Sequence, residues 1–426
     1  MIVLLIFLAL LAMIMVNVPI AVALAVAGVL GIIAAEGAGS LVSIALDMYN
    51  GATKFSLIAI PMFVLAGAIM NAGGITRRLI EFVSALIGFV RGGLAMVNVG
   101  VSLFFAEISG SAVADVAAMG TVMIPEMKKR GYKAPFAAAV TSSSASLAII
   151  IPPSIPMILY GVTAGASIEQ LFLAGLVPGL IGAAGLMGLC WWFARRYDLP
   201  VEQAFETARL KRTFIAALPT FTLPVIILGG IFGGFVTATE AAGLAVVASI
   251  AIGFWYRETD LRELKAALVE GAMQTAVVML LVAASVLMGG FLTRAQIPQD
   301  LADWLVGLTD SRWVILAILN VFFLVVGFFL HSAAAIILVV PIVVPLIAQV
   351  GIDPVHFGLI VTLNLAIGQQ TPPVASVLIT ACSIAKAGIW ETSKANIGFV
   401  AVLLVVLLLS TYVEAVPMFL VEMVYR

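Results

Sequence analysis

The sequence reads as an all-α polytopic membrane protein made of two inverted repeats, and three observations carry that reading. Of the 426 residues, 63% are apolar and 10% charged, against roughly 45–50% and 25% in soluble domains. Apolar runs long enough to cross a bilayer recur along the chain, so the bilayer is the solvent. The second half also repeats the first when the chain is shifted against itself by about half its length.

Other classes fall away on composition. The 21 basic and 22 acidic residues cannot cover the surface of a soluble chain this long. A net charge of −1 provides no basic field for nucleic acid. Cys190 and Cys382 both lie in apolar runs, which leaves neither a disulfide framework nor a thiolate metal cluster. With two histidines and no HExxH, GxxxxGK[ST], GxSxG or GxGxxG pattern, the usual metalloprotease, P-loop, hydrolase and dinucleotide signatures are absent. ATP coupling within this chain is therefore excluded.

In chain order, the crossings expected from about 20 apolar residues each begin with 1–16, which is short, 18–35 and 54–73. The first lacks the basic start of a signal peptide and continues through Asn17 and Pro19 into the next, so it reads as a spanning helix. An amphipathic arm follows at 75–90. The run 94–127 is too long for one helix, is interrupted at Ser109-Gly110-Ser111, and has about 15 residues on either side of the break. That is roughly 22 Å of helix, too little to cross, so a re-entrant hairpin is expected. A helix over 134–164 broken at Pro152-Pro153, and a crossing over 171–194, complete the first half. The second half gives crossings at 214–232, 238–256 and 266–290, and an arm at 297–309. A hairpin over 312–347, broken at His331-Ser332, a broken helix over 354–382 and a crossing at 395–420 follow.

A shift of 220 residues superposes Pro125 on Pro345, Gly131 on Gly351, Pro152 on Pro372 and Pro153 on Pro373. With 18 prolines in the chain, each proline match has odds of ~1 in 24, so the halves read as a duplication. A shift of 222 pairs Ile75, Leu79, Glu81 and Phe82 with Ile297, Leu301, Asp303 and Trp304. Five crossings per half is an odd number, so the second copy enters the membrane upside down. If Lys128-Lys129-Arg130 at the first hairpin's exit lies inside, 17 of the 21 basic residues lie inside and Lys54, Arg294, Arg312 and Arg426 outside. Both termini then lie outside.

The chemistry concentrates at the breaks. Proline inside a helix removes a hydrogen bond and expels the carbonyl four residues back. Ile151-Pro152-Pro153-Ser154 and Gln370-Thr371-Pro372-Pro373 thus each free backbone oxygens that suit a hard cation such as Na⁺. Upstream lie Thr141 to Ser146 in one half and Thr362, Asn364, Gly368, Gln369 and Gln370 in the other, with Ser144 aligned to Asn364. The plainer alternative is a kinked helix whose hydroxyls bond back to their own carbonyls. At the tips, helices opening at Ala112 and Ala333 present N–H groups and a positive dipole end to an anion. Ser111, Ala112, Ser154, Ser332, Ala333 and Thr371 are the candidate substrate contacts. Glu107 and Asp115 flank the first tip as a cation or proton relay, or as partners of hairpin N–H groups. Thr237-Ala238-Thr239-Glu240 reads as a capping box, and Gly179, Gly182, Gly185 and Gly188 as close-packing positions.

At these residues the chain resembles the large membrane subunit of the tripartite ATP-independent periplasmic (TRAP) transporters. The resemblance spans essentially the whole chain and rests on Ser109-Gly110-Ser111-Ala112-Val113-Ala114-Asp115, Ile151-Pro152-Pro153-Ser154, Phe235-Val236-Thr237-Ala238-Thr239-Glu240-Ala241-Ala242 and Thr371-Pro372-Pro373. It implies a Na⁺-driven secondary transporter in the bacterial inner membrane, with both termini periplasmic. Its implied partners are a periplasmic solute-binding protein and a small four-helix membrane subunit on a separate chain. Its architecture is similar to divalent anion/Na⁺ elevator transporters. Carried onto this chain, the resemblance implies one Na⁺ site among Ser109, Gly110, Ser111, Ser144 and Pro152, and a second among His331, Ser332, Gly368 and Thr371. The second tip here reads Leu330-His331-Ser332-Ala333, where the family often carries asparagine or threonine.

The expected organisation is scaffold helices over 1–74 and 213–296, arms over 75–92 (cytoplasmic) and 297–309 (periplasmic), and a transport domain from 93–212 and 310–426. The expected activity is import of a small organic acid, without enzymatic chemistry. Two other classes draw on the same residues. An intramembrane hydrolase would use Ser109 or Ser111 with Asp115 and needs a base beside the serine. An anion channel would use the tips without ion coupling.

Overall fold

The computed structural model describes every residue except 1, 17, 200, 202, 203, 310 and 426. The side chains of Ile2, Leu4, Leu11, Met15, Ala38, Leu41, Ser43, Glu107, Ile108 and Ser109 also lie outside the description. Asn17 and Arg426, used above in reading the first crossing and the charge balance, are therefore not placed.

Helices account for the described chain, apart from turns and one isolated bridge between Arg91 and Val201. The first half opens with α1 (Ile2–Met15), α2 (Ile20–Glu36), α3 (Leu41–Ala52) and α4 (Ala59–Ala72), the last extended by a 3₁₀ turn over Phe55–Ile58. The arm α5 (Ile75–Ile87) follows, then the hairpin α6 (Gly93–Ser109) and α7 (Ala112–Lys129). The broken helix is α8 (Ala134–Ala145) and α9 (Ile155–Ala164), and α10 (Ile168–Arg196) closes the half. The second half starts with α11 (Thr207–Pro224), a π turn over Val225–Gly229, the single turn α12 (Gly230–Phe232), α13 (Ala238–Trp255) and α14 (Leu261–Arg294). Then come the arm α15 (Ile297–Leu308), the hairpin α16 (Arg312–Phe329) and α17 (Ser332–Gln349), and the broken helix α18 (Pro354–Gly368) and α19 (Ser376–Ala385). The chain ends in α20 (Ile389–Tyr412) and α21 (Ala415–Tyr425). Arm, hairpin and broken helix thus recur in the same order in both halves.

Local chemistry explains these boundaries. The arm α5 buries Ile75, Leu79 and Val83, spaced four apart, and leaves Arg77 and Glu81 outside, the pattern of a one-sided helix. Thr237 and Glu240 form a reciprocal capping box at the start of α13, as expected. Gly131 and Gly351, matched by the repeat, both take a left-handed conformation just beyond their hairpins, with φ of 88° and 69°. Pro152-Pro153 and Pro372-Pro373 are both cis.

Three expectations need correction. The hairpin arms have 17, 18, 18 and 18 residues rather than about 15. At about 27 Å for 18 residues, arm length by itself does not hold the second tip at mid-membrane, and both α16 and α17 are long and apolar enough to span. The crossing expected over 395–420 is two helices that part at Val413-Glu414, where Glu414 meets Arg312 at 3.2 Å. A carboxylate is costly inside the bilayer, so the chain breaks to keep it at a surface with its partner. Third, α3 is an amphipathic helix in a stretch where none was expected.

Packing follows the use of small residues, since lipid removes the hydrophobic drive between helices. Helix α14 runs along α2, α3 and α4, and α13 lies on α4. Around α8 gather α7, α19 and α20, while α18 rests against α16 and α20. A side chain at Gly28 or Gly31 would collide with Leu287 or Phe291 of α14, so those glycines set the α2–α14 distance. Of the α10 glycines, Gly179, Gly182 and Gly185 face Ile151, Leu147 and Val402, whereas Gly188 has open space around it. The two hairpins differ: α6 and α7 pack on each other, whereas α16 barely touches α17 and lies on α18 through Gly327 and Gly368.

Charged side chains pair between distant segments. Arg77 and Arg78 reach Glu258 at 3.0 and 2.9 Å, Arg91 reaches Asp198 at 2.7 Å, and Lys128 Nζ donates to the Ala385 carbonyl at 2.9 Å. Separately, Arg294 holds Glu36 and Asp47 at 2.9 and 3.3 Å, and Lys54 Nζ donates to the Val162 carbonyl at 3.4 Å. Cys190 and Cys382 are buried, free thiols.

Candidate functional site

Each hairpin tip lies against its own Pro-Pro break. In the first half Gly110 adopts φ 58°, and a Cβ there would lie 2.8 Å from the Pro153 carbonyl oxygen and 3.0 Å from Ile155 N. Only glycine fits, and the Ile155 N–H donates to the Gly110 carbonyl at 3.4 Å. In the second half the Val374 N–H donates to the Phe328 carbonyl at 3.2 Å, so the same tip-to-break seam recurs.

The two tips then meet each other. Gly110, Ser111 and Ala112 share one cavity of about 80 Å³ with His331, Ser332 and Ala333. Gln369 from the second break also lines it, as do Val64 of α4 and Gln274 and Val278 of α14. Helices α7 and α17 both begin here. Their first N–H groups have no intrahelical acceptor, and two positive dipole ends border one small space, an arrangement suited to a carboxylate. Ser111 Oγ accepts the Ala114 N–H at 3.5 Å as N-cap of α7, and His331 stands at the equivalent position of α17, which opens at Ser332, one residue earlier than expected. From Ser111 and Gln274 a second cavity of about 580 Å³ extends along Asn71 and Thr121 to Gly74, Thr76 and Arg77 at the turn between α4 and α5.

Behind the tips the two repeats are tied by buried polar side chains. Ser143 Oγ donates to Gln370 Oε1 at 2.8 Å and lies 2.5 Å from Asn396 Oδ1, and Gln370 Nε2 donates to Ser146 Oγ at 2.5 Å. Asn98 Nδ2 donates to Thr141 Oγ1 at 2.6 Å, and Ser144 Oγ donates to Asn98 Oδ1 at 3.5 Å. In the other half Asn364 Nδ2 donates to Asn320 Oδ1 at 2.7 Å. Among the described residues, the buried Ser142 Oγ and Asn364 Oδ1 have no hydrogen-bond partner. Back-bonding to the same helix holds for Thr141, Ser146, Thr362 and Thr371, so the plainer reading of these hydroxyls is correct for part of the set. Ser143 instead reaches across to the other repeat.

Among the sequence-derived candidates, Gly110, Ser111, Ala112, His331, Ser332 and Ala333 come together. Ser144 and Asn364 lie deeper, in matched positions. Pro152 is buried in the first break. Ser154 uses its hydroxyl within that break, donating to the Ile149 carbonyl at 2.5 Å and capping Met157 N–H. Gly368 serves a backbone contact, since a Cβ there would lie 2.5 Å from Gly327 Cα. Thr371 and Pro372 border a different cavity, of about 410 Å³, beside Trp390, and Pro373 is exposed. Asp115 is buried one turn into α7. The side chains of Glu107 and Ser109 fall outside the described residues. Sequence reasoning passed over Asn98, Asn320, Asn396 and Gln274. Asn98 and Asn320 were findable, because the 222-residue shift that aligns the arms superposes them. Asn396 and Gln274 have no counterpart to mark them.

The family described as "Tripartite ATP-independent periplasmic transporter, DctM component" matches residues 7–416. The chain belongs to the DctM family. Curated TRAP permeases are similar along most of it. The isethionate TRAP transporter permease protein DctMQ of Oleidesulfovibrio alaskensis is 40% identical over 95% of this chain. This chain spans 64% of that relative's length. The C4-dicarboxylate TRAP transporter large permease protein DctM of Pseudomonas aeruginosa is 38% identical over 89% of each chain. The sialic acid TRAP transporter large permease protein SiaM of Vibrio cholerae is 39% identical over 78% of each. Among solved structures, the YdaH transporter of Alcanivorax borkumensis shares the fold, with a TM-score of 0.57, 15% identity and 89% of each chain covered. As a DctM-family protein the chain is a multi-pass subunit of a transporter class defined as ATP-independent and three-part. For the hydrolase alternative, His331 does line the same cavity as Ser111. The curated relatives are nonetheless permeases, and Ser111 Oγ serves as a helix cap.

Proposed function

We propose that this chain is the permease through which a Na⁺ gradient drives import of a small organic acid. A periplasmic solute-binding protein delivers the acid, and a small four-helix membrane subunit completes the complex in the bacterial inner membrane, with both termini of this chain periplasmic. One observation carries the reading: two helix N-termini, one from each repeat, border a single cavity between the tips. A carboxylate or sulfonate is the anion such a site favours without an arginine. The relatives' isethionate, C4-dicarboxylate and sialic acid are all of this class.

On this reading Na⁺ is the co-substrate. Oxygens of uncharged groups suit this hard cation, and leaving Asn364 Oδ1 and Ser142 Oγ buried without partners costs about 1–3 kcal/mol each. A cation bound beside them would recover that cost. Alternating access follows from where the polar interruptions lie. Both hairpins and both breaks fall in 93–212 and 310–426, whose helices pack on one another, as α7 and α8 do on α19. Helices α4 and α14, backed by α13 and α2, form the surface against which that block moves as an elevator, with α5 and α15 as hinges.

The test is uptake into proteoliposomes containing this chain and its small subunit, with the cognate binding protein loaded with labelled acid outside. Uptake that follows an imposed Na⁺ gradient and collapses when K⁺ replaces Na⁺ supports the reading. Equal uptake in both salts, or flux that ignores gradients, replaces it with an uncoupled pathway.

A further inference from the structure

One face of α14 lines three cavities, two of which reach the tips. Glu270 and Gln274 line the large vestibule, and Gln274 and Val278 line the tip cavity. Val282, Ser285, Gly289 and Arg294 line a third cavity of about 360 Å³ on the other side, which also contains Lys54. From Glu270 to Gly289 these positions follow one another at three- or four-residue steps, so they form one stripe along a single helix, with Arg294 beyond its end. From Gln274 to Ser285 the stripe rises about 17 Å.

Where the tip cavity meets this stripe, the scaffold helices contribute Val64, Val278 and Gln274. Two of the three are apolar, as suits a wall along which a block slides. Gln274 carries an amide, and it lines both the tip cavity and the vestibule leading out of it. Its Nε2 donates to Glu270 Oε1 at 3.3 Å, one turn toward the vestibule. The second amide N–H and the carbonyl oxygen remain to meet a guest between the tips.

We propose that Gln274 is a positioning and specificity residue on the stationary wall, touching the acid only while the moving block stands at this height. When the block is displaced along α14, the same tips face Ser285 and Gly289. Gln274 therefore sets affinity on the side where the vestibule opens and leaves affinity on the opposite side to the tips alone. This inference rests on the transport reading above.

The experiment uses the complete transporter in vesicles of defined orientation, with succinate, isethionate, 2,3-diketo-L-gulonate and N-acetylneuraminate as labelled probes. Half-saturation is measured separately from the face carrying Lys128 and from the opposite face. Gln274→Ala is expected to raise half-saturation about three- to tenfold on the Lys128 face, the effect of one lost hydrogen bond, and to leave the opposite face within about twofold. Gln274→Asn is expected to recover part of the loss. Met273→Ala, on an exposed neighbouring position, serves as the folding and expression control. An equal change on both faces, or none on either, overturns the assignment of Gln274. Wild-type vesicles that exchange none of the four acids in a Na⁺-dependent way overturn the transport reading instead, and the inference falls with it.

Discussion

Asn364 donates its amide to Asn320 Oδ1 at 2.7 Å while its own Oδ1 is buried with no partner among the described residues. The donor half of the side chain is satisfied twice, since Nδ2 also donates to the Ile360 carbonyl at 2.8 Å, and so the oxygen is held in a fixed direction. Replacing Asn364 with Leu removes that oxygen at little cost in volume. On the co-substrate reading, the Na⁺ concentration for half-maximal uptake should rise about tenfold or more at saturating acid. Na⁺ titration of wild-type and N364L vesicles gives the answer, and superimposable curves would exclude Asn364 from the ion path.

Gly110 tests the tip itself. A valine there would have to adopt φ near 58° and push into the Pro153 carbonyl. Gly110→Val should insert normally yet abolish uptake, because the seam between tip and break cannot close. Full uptake by a correctly inserted G110V protein would show that the seam plays no part in transport.

Topology is open to direct labelling. Cysteines at Lys129 and Val350 stand at equivalent exits of the two hairpins. In an inverted pair they react with an impermeant maleimide from opposite sides of the membrane, Lys129 from the cytoplasm. Reaction from one side would mean that the repeats run parallel.

Lys54, of the part read as scaffold, reaches the part read as mobile through its ammonium on the carbonyl of Val162 near the end of α9. Lysine at a helix C-terminus is worth about 0.3–1 kcal/mol. Cysteines at Lys54 and Thr163, which line one cavity, should crosslink through a short bis-maleimide and stop transport. The single variants should transport. Undiminished turnover in the crosslinked protein would argue against sliding of α9 past the turn that opens α4.

Thr237 separates structure from function. Its capping box with Glu240 is complete, with bonds of 2.8 and 3.3 Å to backbone N–H groups. Thr237→Ala should cost about 0.5–2 kcal/mol of stability, read as a lower melting temperature in detergent. Na⁺ and acid half-saturation should not move.

The long apolar runs, the two interruptions and the Pro-Pro pairs were legible because each is a departure from uniform hydrophobicity that needs no partner to be seen. The six tip residues were legible for the same reason. Asn396 and Gln274 were not, since an isolated amide in an apolar run gains meaning only from the helix it faces, and that pairing is set by packing between distant segments. Thr371 misled. Its place beside the prolines matched the tip chemistry, yet its hydroxyl turns back to Ile367 at 3.1 Å and it borders a cavity elsewhere. Helix α3 escaped notice because Asp47, Tyr49 and Asn50 mark a connecting loop by composition, although they stand on a helix packed against α14.

The unequal hairpins have a mechanical consequence. The first behaves as a clip whose two limbs press together, so displacing one limb carries the other with it. The second is a joint between two separately anchored rods. One rod is fastened backbone to backbone at Gly327 and Gly368, and the other is seated on α15 and α9. Bending is then concentrated at Leu330 and His331, which connect the rods. Substitutions there would tune stiffness: a proline would freeze the joint and a glycine would loosen it, with the fastened rods undisturbed in either case.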